Sequence, residues 1–334
     1  MRRIGIIGAG AVAGFHAQAA AAVDGLVLAA VCDLRAPAAE AVAGRHGAAV
    51  FTDYRELLDS GEVDAVVVNT PHALHREMVL EAAARGLHVL VEKPMATTLD
   101  ACDEMASACR VAGVTLAVGQ IQHFLPEKVA VARALAAGTL GPVQLIHDYR
   151  STDYRPGSRS AWFLDPVMAG GGALMNIGAH LLDRSIWLGG APVVSVRAST
   201  LHRFGSPVET DGTIALTLAN GVSVSISVVS DTPHYVDELM VVCEHGTLTA
   251  DPARGTFLRR DGVTTRLHEN GDDDEVLQEA FLNQMQDFAR TLDGGQGSVP
   301  TTHARHVVEV ILAAYESAAA GATVELSGSG GPGA

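Results

Sequence analysis

Gly8-Ala9-Gly10-Ala11-Val12-Ala13 follows the apolar run Ile4 to Ile7 and opens an Ala-rich stretch of helical character. The spacing is that of a dinucleotide-binding loop, G-x-G-x-x-G/A. Gly8 permits a tight turn, Gly10 lets a pyrophosphate approach the backbone, and Ala13 lets the helix pack closely on the preceding strand. Ala11 and Val12 therefore join Gly8 and Gly10 as candidate cofactor contacts. Alone, such a loop is also an ordinary glycine-rich turn. Here Asp33 ends the next apolar run, where its carboxylate can hydrogen-bond the ribose hydroxyls of NAD. The same carboxylate repels a 2'-phosphate and so favours NAD, while Arg35 can offset that repulsion and keeps NADP possible.

Val91-Glu92-Lys93-Pro94 ends a further apolar run that begins at His88. Lys93 then projects from the carboxyl edge of a parallel sheet, where ligands of such folds bind. There a partly desolvated ammonium can hydrogen-bond a substrate hydroxyl; by itself, a lysine at a strand end is also simply a surface residue. Gly170-Gly171-Gly172 breaks the chain before Leu174-Met175-Asn176-Ile177-Gly178-Ala179-His180, which places Asn176 and His180 at i and i+4 of a helix. Near a nicotinamide, that face offers an imidazole for proton transfer and an amide to fix a hydroxyl. Arg150, Tyr154, Arg155 and Arg159 lie just upstream and are candidates for binding hydroxyls or an anionic substituent. Trp162 precedes the glycine run as either a sugar-stacking platform or a core residue.

The elements that must carry these groups fall into two textures. Up to about residue 120, short β-branched runs (Arg3–Ile7, Val27–Cys32, Ala65–Asn69, His88–Val91, Val114–Val118) alternate with Ala-rich helical stretches. That is the pattern of a doubly wound parallel sheet covered on both faces. A helix over Glu127–Ala137 leads into runs of period two: Val143–Arg150, Val193–Arg203, Thr213–Leu218, Val222–Val229 and Glu238–Cys243, with Asn220-Gly221 as a hairpin turn. Helices are expected at Leu174–Trp187, Val276–Leu292 and Ala304–Ala319. The fold class is thus α/β: an N-terminal Rossmann domain over 1–122, and an α/β domain over 123–326 with a large, mainly antiparallel open sheet. A flexible Ser/Gly/Pro tail is expected over 327–334.

Composition bounds the function. The 334 residues exceed one ordinary core, and 48% hydrophobic residues supply ample apolar surface for two. A net charge of -15 argues against a nucleic-acid partner. No apolar stretch is long enough for a membrane span, and Met1-Arg2-Arg3 precedes too short an apolar run for a signal peptide. Four cysteines without C-x-x-C spacing read as thiols of a reducing, cytoplasmic compartment.

Taken together, these residues resemble the glucose-fructose oxidoreductase/inositol dehydrogenase/rhizopine-catabolism (Gfo/Idh/MocA) family over nearly the whole chain. The likeness is carried by Gly8 to Ala13; Asn69-Thr70-Pro71 with His75; Gly86-Leu87-His88-Val89 running into Glu92-Lys93-Pro94; Gly170 to His180 with Asp183; and Ala313-Ala314-Tyr315-Glu316-Ser317. It implies cofactor contacts from Thr70, Pro71, His75, Glu92 and Lys93, an ordering role for Lys93 toward substrate and cofactor, and a general acid/base role for His180. It also implies a polyhydroxylated sugar or cyclitol substrate and a homodimer or homotetramer. Three positions depart from the commonest pattern: Asn176 replaces an aspartate, His72 an asparagine, and Gln122-His123 stand where an arginine is frequent, so Gln122 is a candidate substrate contact. The reading is an NAD(P)-dependent oxidoreductase of secondary alcohols. Its alternatives are an epimerase, lyase or glycosidase with recycled NAD, a non-catalytic dinucleotide-binding regulator, or a reductase of non-sugar substrates.

No metal is expected. His72/His75 and His303/His306 repeat the H-x-x-H spacing without a completing Cys or carboxylate, and His75 fits better as a residue packing a helix start. The acidic run Asp272 to Glu275 lacks calcium-loop spacing and suits a helix N-terminus.

Overall fold

A computed structural model describes residues 1–230 and 235–327; the tail expected over 327–334 lies, apart from Ser327, outside the described residues. The chain forms two compact units, one of residues 1–124 with 277–301 and the other of 125–276 with the chain from 302 onward. The chain's return to the first unit is the difference from the contiguous division expected at residue 122.

In the first unit, β1 (Arg2–Ile7), β2 (Leu26–Cys32), β3 (Ala49–Phe51), β4 (Ala65–Val68), β5 (His88–Glu92) and β6 (Leu116–Gly119) build one sheet in the order β3-β2-β1-β4-β5-β6. Every pairing is parallel. Helices α1 (Ala13–Ala22), α2 (Ala36–Ala43), α3 (Tyr54–Asp59), α4 (His75–Ala84) and α5 (Leu99–Ala112) connect the strands. This is the doubly wound dinucleotide-fold order, with its crossover point between β1 and β4. Four consecutive residues of β4 are buried, as continuous apolar runs require when both faces are covered. The sequence reading lacks β3, which has only three residues, two of them exposed.

The second unit begins with α6 (Pro126–Ala136) and β7 (Val143–Thr152). It continues through α7 (Pro166–Ala169), a π-helical turn at Leu174–Gly178 and α8 (Ala179–Gly189). Then follow β8 (Val193–Leu201), β9 (Asp211–Leu218), β10 (Ser223–Ser230), β11 (Asp237–Cys243), β12 (Gly246–Asp251), β13 (Gly255–Arg260) and β14 (Val263–His268). The chain closes with α9 (Asp273–Leu292), α10 (Thr301–Ala320) and β15 (Val324–Glu325). The sheet order is β14-β13-β12-β11-β7-β10-β9-β8-β15, antiparallel except for β7 against β10. Asn220-Gly221 makes the expected turn between β9 and β10. Alternation buries Ile214, Leu216, Val224 and Ile226 against Leu181, Ile186, Val307 and Ile311 of α8 and α10, and leaves Thr213, Thr217 and Ser225 on the opposite face exposed. The strands β12 to β14 are absent from the sequence reading because their polar composition hides the alternation; β14 is exposed along most of its length. Most of α9 belongs to the first unit, where Phe281 stacks on Phe15 of α1 with ring centroids 5.3 Å apart.

A buried ion cluster fixes α8 to the sheet. Arg184, fully buried, donates through Nε to Asp148 on β7 at 2.8 Å and through Nη2 to both Asp148 and Asp237, the latter on β11. Burial alone pushes the Asp237 carboxyl up, but the charges of Arg184, Lys128 and Arg150 hold it well below the usual carboxylate range. A carboxylate depressed in the folded state contributes stability that is complete above its unfolded pKa, about 3.9, and fades as pH falls below it. Arg184→Ala should therefore lower the unfolding free energy at pH 7 by about 3–5 kcal/mol, by stranding two buried carboxylates. In urea melts the gap between wild type and variant should narrow on acidification from about pH 4 toward pH 2. A gap that stays constant over that range would exclude the ion cluster as its source.

Candidate active site

The first unit supplies a cradle at the carboxyl ends of β1 and β4. Gly8 adopts φ +98°, and a Cβ there would lie 2.8 Å from the Asn69 carbonyl oxygen, so only glycine fits. A Cβ on Gly10, by contrast, would meet no atom within 4 Å. Val12 offers no capping side chain at the start of α1, where the Ala13 N–H turns to the Gly10 carbonyl at 3.2 Å. Asp33 accepts the N–H groups of Ala9 and Arg35, both at 2.9 Å, while the exposed Arg35 guanidinium approaches its carboxylate at 3.6 Å. The side-chain amide of Asn69 is buried with no hydrogen-bond partner among the described residues, a polar group that the sequence reading used only as part of a motif. Open space at Gly10, a helix start without a side-chain cap, the Asp33 carboxylate just after β2 and an orphaned amide together fit a dinucleotide.

Thr70, Pro71 and His75 each have a place in the fold of the first unit. The Thr70 hydroxyl donates to the Met78 sulfur at 3.4 Å, and Pro71 precedes the 3₁₀ turn His72–Leu74. His75 corrects the expectation most clearly. Its fully buried ring sets Nδ1 3.1 Å from the Pro94 carbonyl oxygen and Nε2 3.0 Å from that of Thr70, and burial lowers its pKa. The imidazole braces the loop after Lys93 from the first position of α4, with both ring nitrogens beside backbone carbonyls.

Glu92 is likewise a support. Its carboxylate lies 2.9 Å from Nε2 of the buried His16 and accepts the Lys93 N–H at 3.2 Å. Burial pushes its carboxyl up, yet His16 and Lys93 hold it below the usual range. His16 itself meets Phe281 edge to face, with centroids 4.7 Å apart, so α9 stiffens the base of the Lys93 strand end. Nothing in the sequence reading singled out His16. Gln122 is buried in the 3₁₀ turn Ile121–His123 after β6.

The second unit supplies Asn176, buried, and His180, half-buried. Asn176 sits inside the π turn and His180 in the first turn of α8, so their i, i+4 spacing is not that of one regular α-helix. Such turns widen a helix by one residue and recur at functional sites. Tyr154 corrects another expectation. It is fully buried, its hydroxyl donates to the Gly172 carbonyl at 3.1 Å and meets the Asn176 amide, and so it supports Asn176 without facing substrate. Arg159 lies 4.6 Å over the Tyr154 ring and donates to the Asp153 carbonyl, while Arg155 pairs with Asp153 at the surface. Arg150 is turned toward Asp237, with Nε 3.7 Å away. Trp162 stacks on Phe163 at 3.7 Å, half-buried.

The two histidines of the second H-x-x-H pair engage different partners. His306 Nε2 accepts the Val193 N–H at 2.9 Å, and its Nδ1 lies 2.8 Å from Glu309. His303 Nε2 instead lies 2.7 Å from Asp183 Oδ1, so this H-x-x-H pair does not converge.

Comparison with known proteins agrees with this geometry. Residues 2–120 match the model of the Gfo/Idh/MocA oxidoreductase family, NAD-binding Rossmann fold, and residues 129–249 match a Gfo/Idh/MocA C-terminal domain. Inositol 2-dehydrogenase of Rubrobacter xylanophilus is 33% identical over 276 residues, covering 80% of this chain and 76% of that protein. D-glucoside 3-dehydrogenase of Escherichia coli is 34% identical over 209 residues, covering 61% and 59%. The crystal structure of GenD2 from gentamicin A biosynthesis, in complex with NAD, superposes with a TM-score of 0.86 at 27% identity, covering 97% of this chain and 96% of that one. The loop at Gly8, the Glu92-Lys93-Pro94 strand end and the Asn176–His180 helix thus stand in a chain that belongs to the Gfo/Idh/MocA family of nicotinamide-dependent oxidoreductases.

Proposed function

We propose that this protein is a dehydrogenase or ketoreductase of a secondary alcohol carbon in a sugar, sugar derivative or cyclitol, with NAD as its preferred cofactor. The observation that carries the reading lies within one unit: the Gly8–Gly10 cradle, Asp33 and Lys93 share the carboxyl edge of one parallel sheet. The relatives named for inositol and D-glucoside oxidation support a polyhydroxylated ring as substrate.

Bound NAD supplies the hydride acceptor. In the oxidising direction His180 takes the hydroxyl proton and Asn176 orients the ring through its amide, while Lys93 donates a hydrogen bond to a substrate oxygen. In reduction His180 returns the proton. Because Asn176 is neutral, it adds no negative charge beside the reacting oxygen. The cation of Lys93 is then the group that favours a developing alkoxide. Trp162 and Gln122 remain candidates for substrate contact.

Asp33 supports NAD over NADP, since its carboxylate is fixed by Ala9 and Arg35 where a 2'-phosphate would stand. We also assign the chain to the cytoplasm, on four cysteines without C-x-x-C spacing, all of them buried. Among the described residues no helix is long and apolar enough to cross a membrane. A homodimer or homotetramer is the assembly we assign from the family.

An absorbance assay of purified protein with NAD and NADP, against sugars, cyclitols and their keto forms, tests the activity. Net cofactor turnover is the expected result. Changed products without net turnover would establish recycled NAD, and neither would favour a regulator. Asp33→Ala should weaken NAD binding far more than NADP binding; equal losses by titration would remove the cofactor preference. His180→Ala should cut turnover by about 10²–10⁴-fold with NAD affinity retained. Near-normal turnover would exclude His180 as the proton-transfer group.

A further inference from the structure

A helix start leaves four backbone N–H groups without intrahelical partners. At the segment bearing Asn176 and His180, the consecutive donors of Gly172, Ala173, Leu174 and Met175 are all taken by two residues from elsewhere in the same unit. Glu209, buried just before β9, accepts the Gly172 N–H at 2.8 Å and the Leu174 N–H at 2.9 Å through its carboxylate. Its own carbonyl accepts the Ala173 N–H at 2.9 Å. Tyr315 on α10 completes the set: its hydroxyl accepts the Met175 N–H at 3.1 Å and donates to Glu209 Oε1 at 2.7 Å.

The glycine run is what admits this arrangement. A Cβ on Gly171 would lie 2.0 Å from the Tyr315 hydroxyl oxygen, and one on Gly172 would lie 2.0 Å from the Glu209 carbonyl oxygen and 2.9 Å from its Oε2. Any larger residue at either position would displace the anchor. Burial and the neighbouring Glu209 carboxylate raise the Tyr315 pKa well above its ordinary value, which keeps the hydroxyl a donor.

The geometry points to Glu209 and Tyr315 as positioning residues that hold Asn176 and His180 in register for the reaction, a role resting on the function proposed above. Met175 is adjacent to Asn176, and the π turn begins at Leu174, directly on the anchored groups. The turn places one extra residue between Asn176 and the regular turns of α8. A one-residue slip back to α-helical register rotates a side chain by about 100° about the helix axis. Fixing the four donors fixes which register is used, and with it the direction of Asn176 relative to His180. It also closes this helix end to substrate anions, because its donors already face a carboxylate.

The test uses full-length Tyr315→Phe and Glu209→Gln variants, with NAD and the fastest-reacting member of the sugar and cyclitol panel, myo-inositol being the first probe. Turnover should fall about 10-fold for Tyr315→Phe and about 100-fold for Glu209→Gln, with KM changed less than kcat and NAD affinity within about twofold of wild type. The double variant should be no slower than Glu209→Gln alone, since both act through one helix turn. Amide exchange in the apo protein should quicken about 10-fold or more over residues 172–180 and stay unchanged in the first unit. Tyr315→Phe deletes one oxygen and tests the proposal even if Glu209→Gln does not fold. Wild-type kcat in Tyr315→Phe, with His180→Ala inactive, overturns the positioning role. Full activity in His180→Ala removes His180 as the proton-transfer group, the part of the functional reading on which that role rests, whatever the exchange rates show.

Discussion

Where β1 and β4 lie side by side, the chain leaves the two strands toward opposite faces of the sheet and opens a crevice at their carboxyl ends. The crevice exists only because Gly8 presses its bare Cα against the Asn69 carbonyl. That contact sets the path of the loop into α1 and brings the Ala9 N–H onto Asp33. The same sheet edge carries Glu92 and Lys93, two strands on through β4. One close backbone approach thus fixes the dinucleotide cradle, and the register of parallel strands carries its consequences to the lysine.

The second unit solves a different problem: holding one helix at a fixed depth and rotation over a sheet whose strands are separated in sequence. Its devices are polar and buried. Arg184 pins α8 to β7 and β11, Tyr154 supports the Gly172 carbonyl and the Asn176 amide, and Glu209 with Tyr315 occupies the helix start. Buried ion pairs contribute little net stability compared with apolar packing, but they tolerate few alternative arrangements. Here they surround the segment that carries Asn176 and His180, while the apolar core beneath α8 and α10 carries the bulk of the burial.

Much of this was legible in the residues. Continuous apolar strands alternating with Ala-rich helices revealed the first sheet, and alternation with Asn220-Gly221 revealed the centre of the second. What escaped were features with no local pattern. The three-residue β3 is too short to show a period, and β12 to β14 are too polar to show one. The π turn follows from contacts made at the helix start, not from its own composition. His16, Asp148, Arg184, Glu209 and Asp237 are ordinary polar residues in sequence and acquire meaning only through partners many residues away. The triple glycine was the available signal for Glu209 and Tyr315, since side chains are absent where something else must come close. Tyr154, a candidate substrate contact in sequence, is buried and faces inward, while His75, readable both as a cofactor contact and as packing for a helix start, is fully buried at the start of α4.

The central claim is direct transfer of a carbon-bound hydrogen from a ring carbinol to the nicotinamide. Its most direct test is a substrate deuterated at the reacting carbon, incubated with NAD and the protein, followed by mass spectrometry and proton NMR of both products. The account predicts one deuterium at C4 of the nicotinamide ring in NADH and a ketone lacking it. Deuterium lost to water, or kept in a rearranged product with no labelled NADH released, would contradict it.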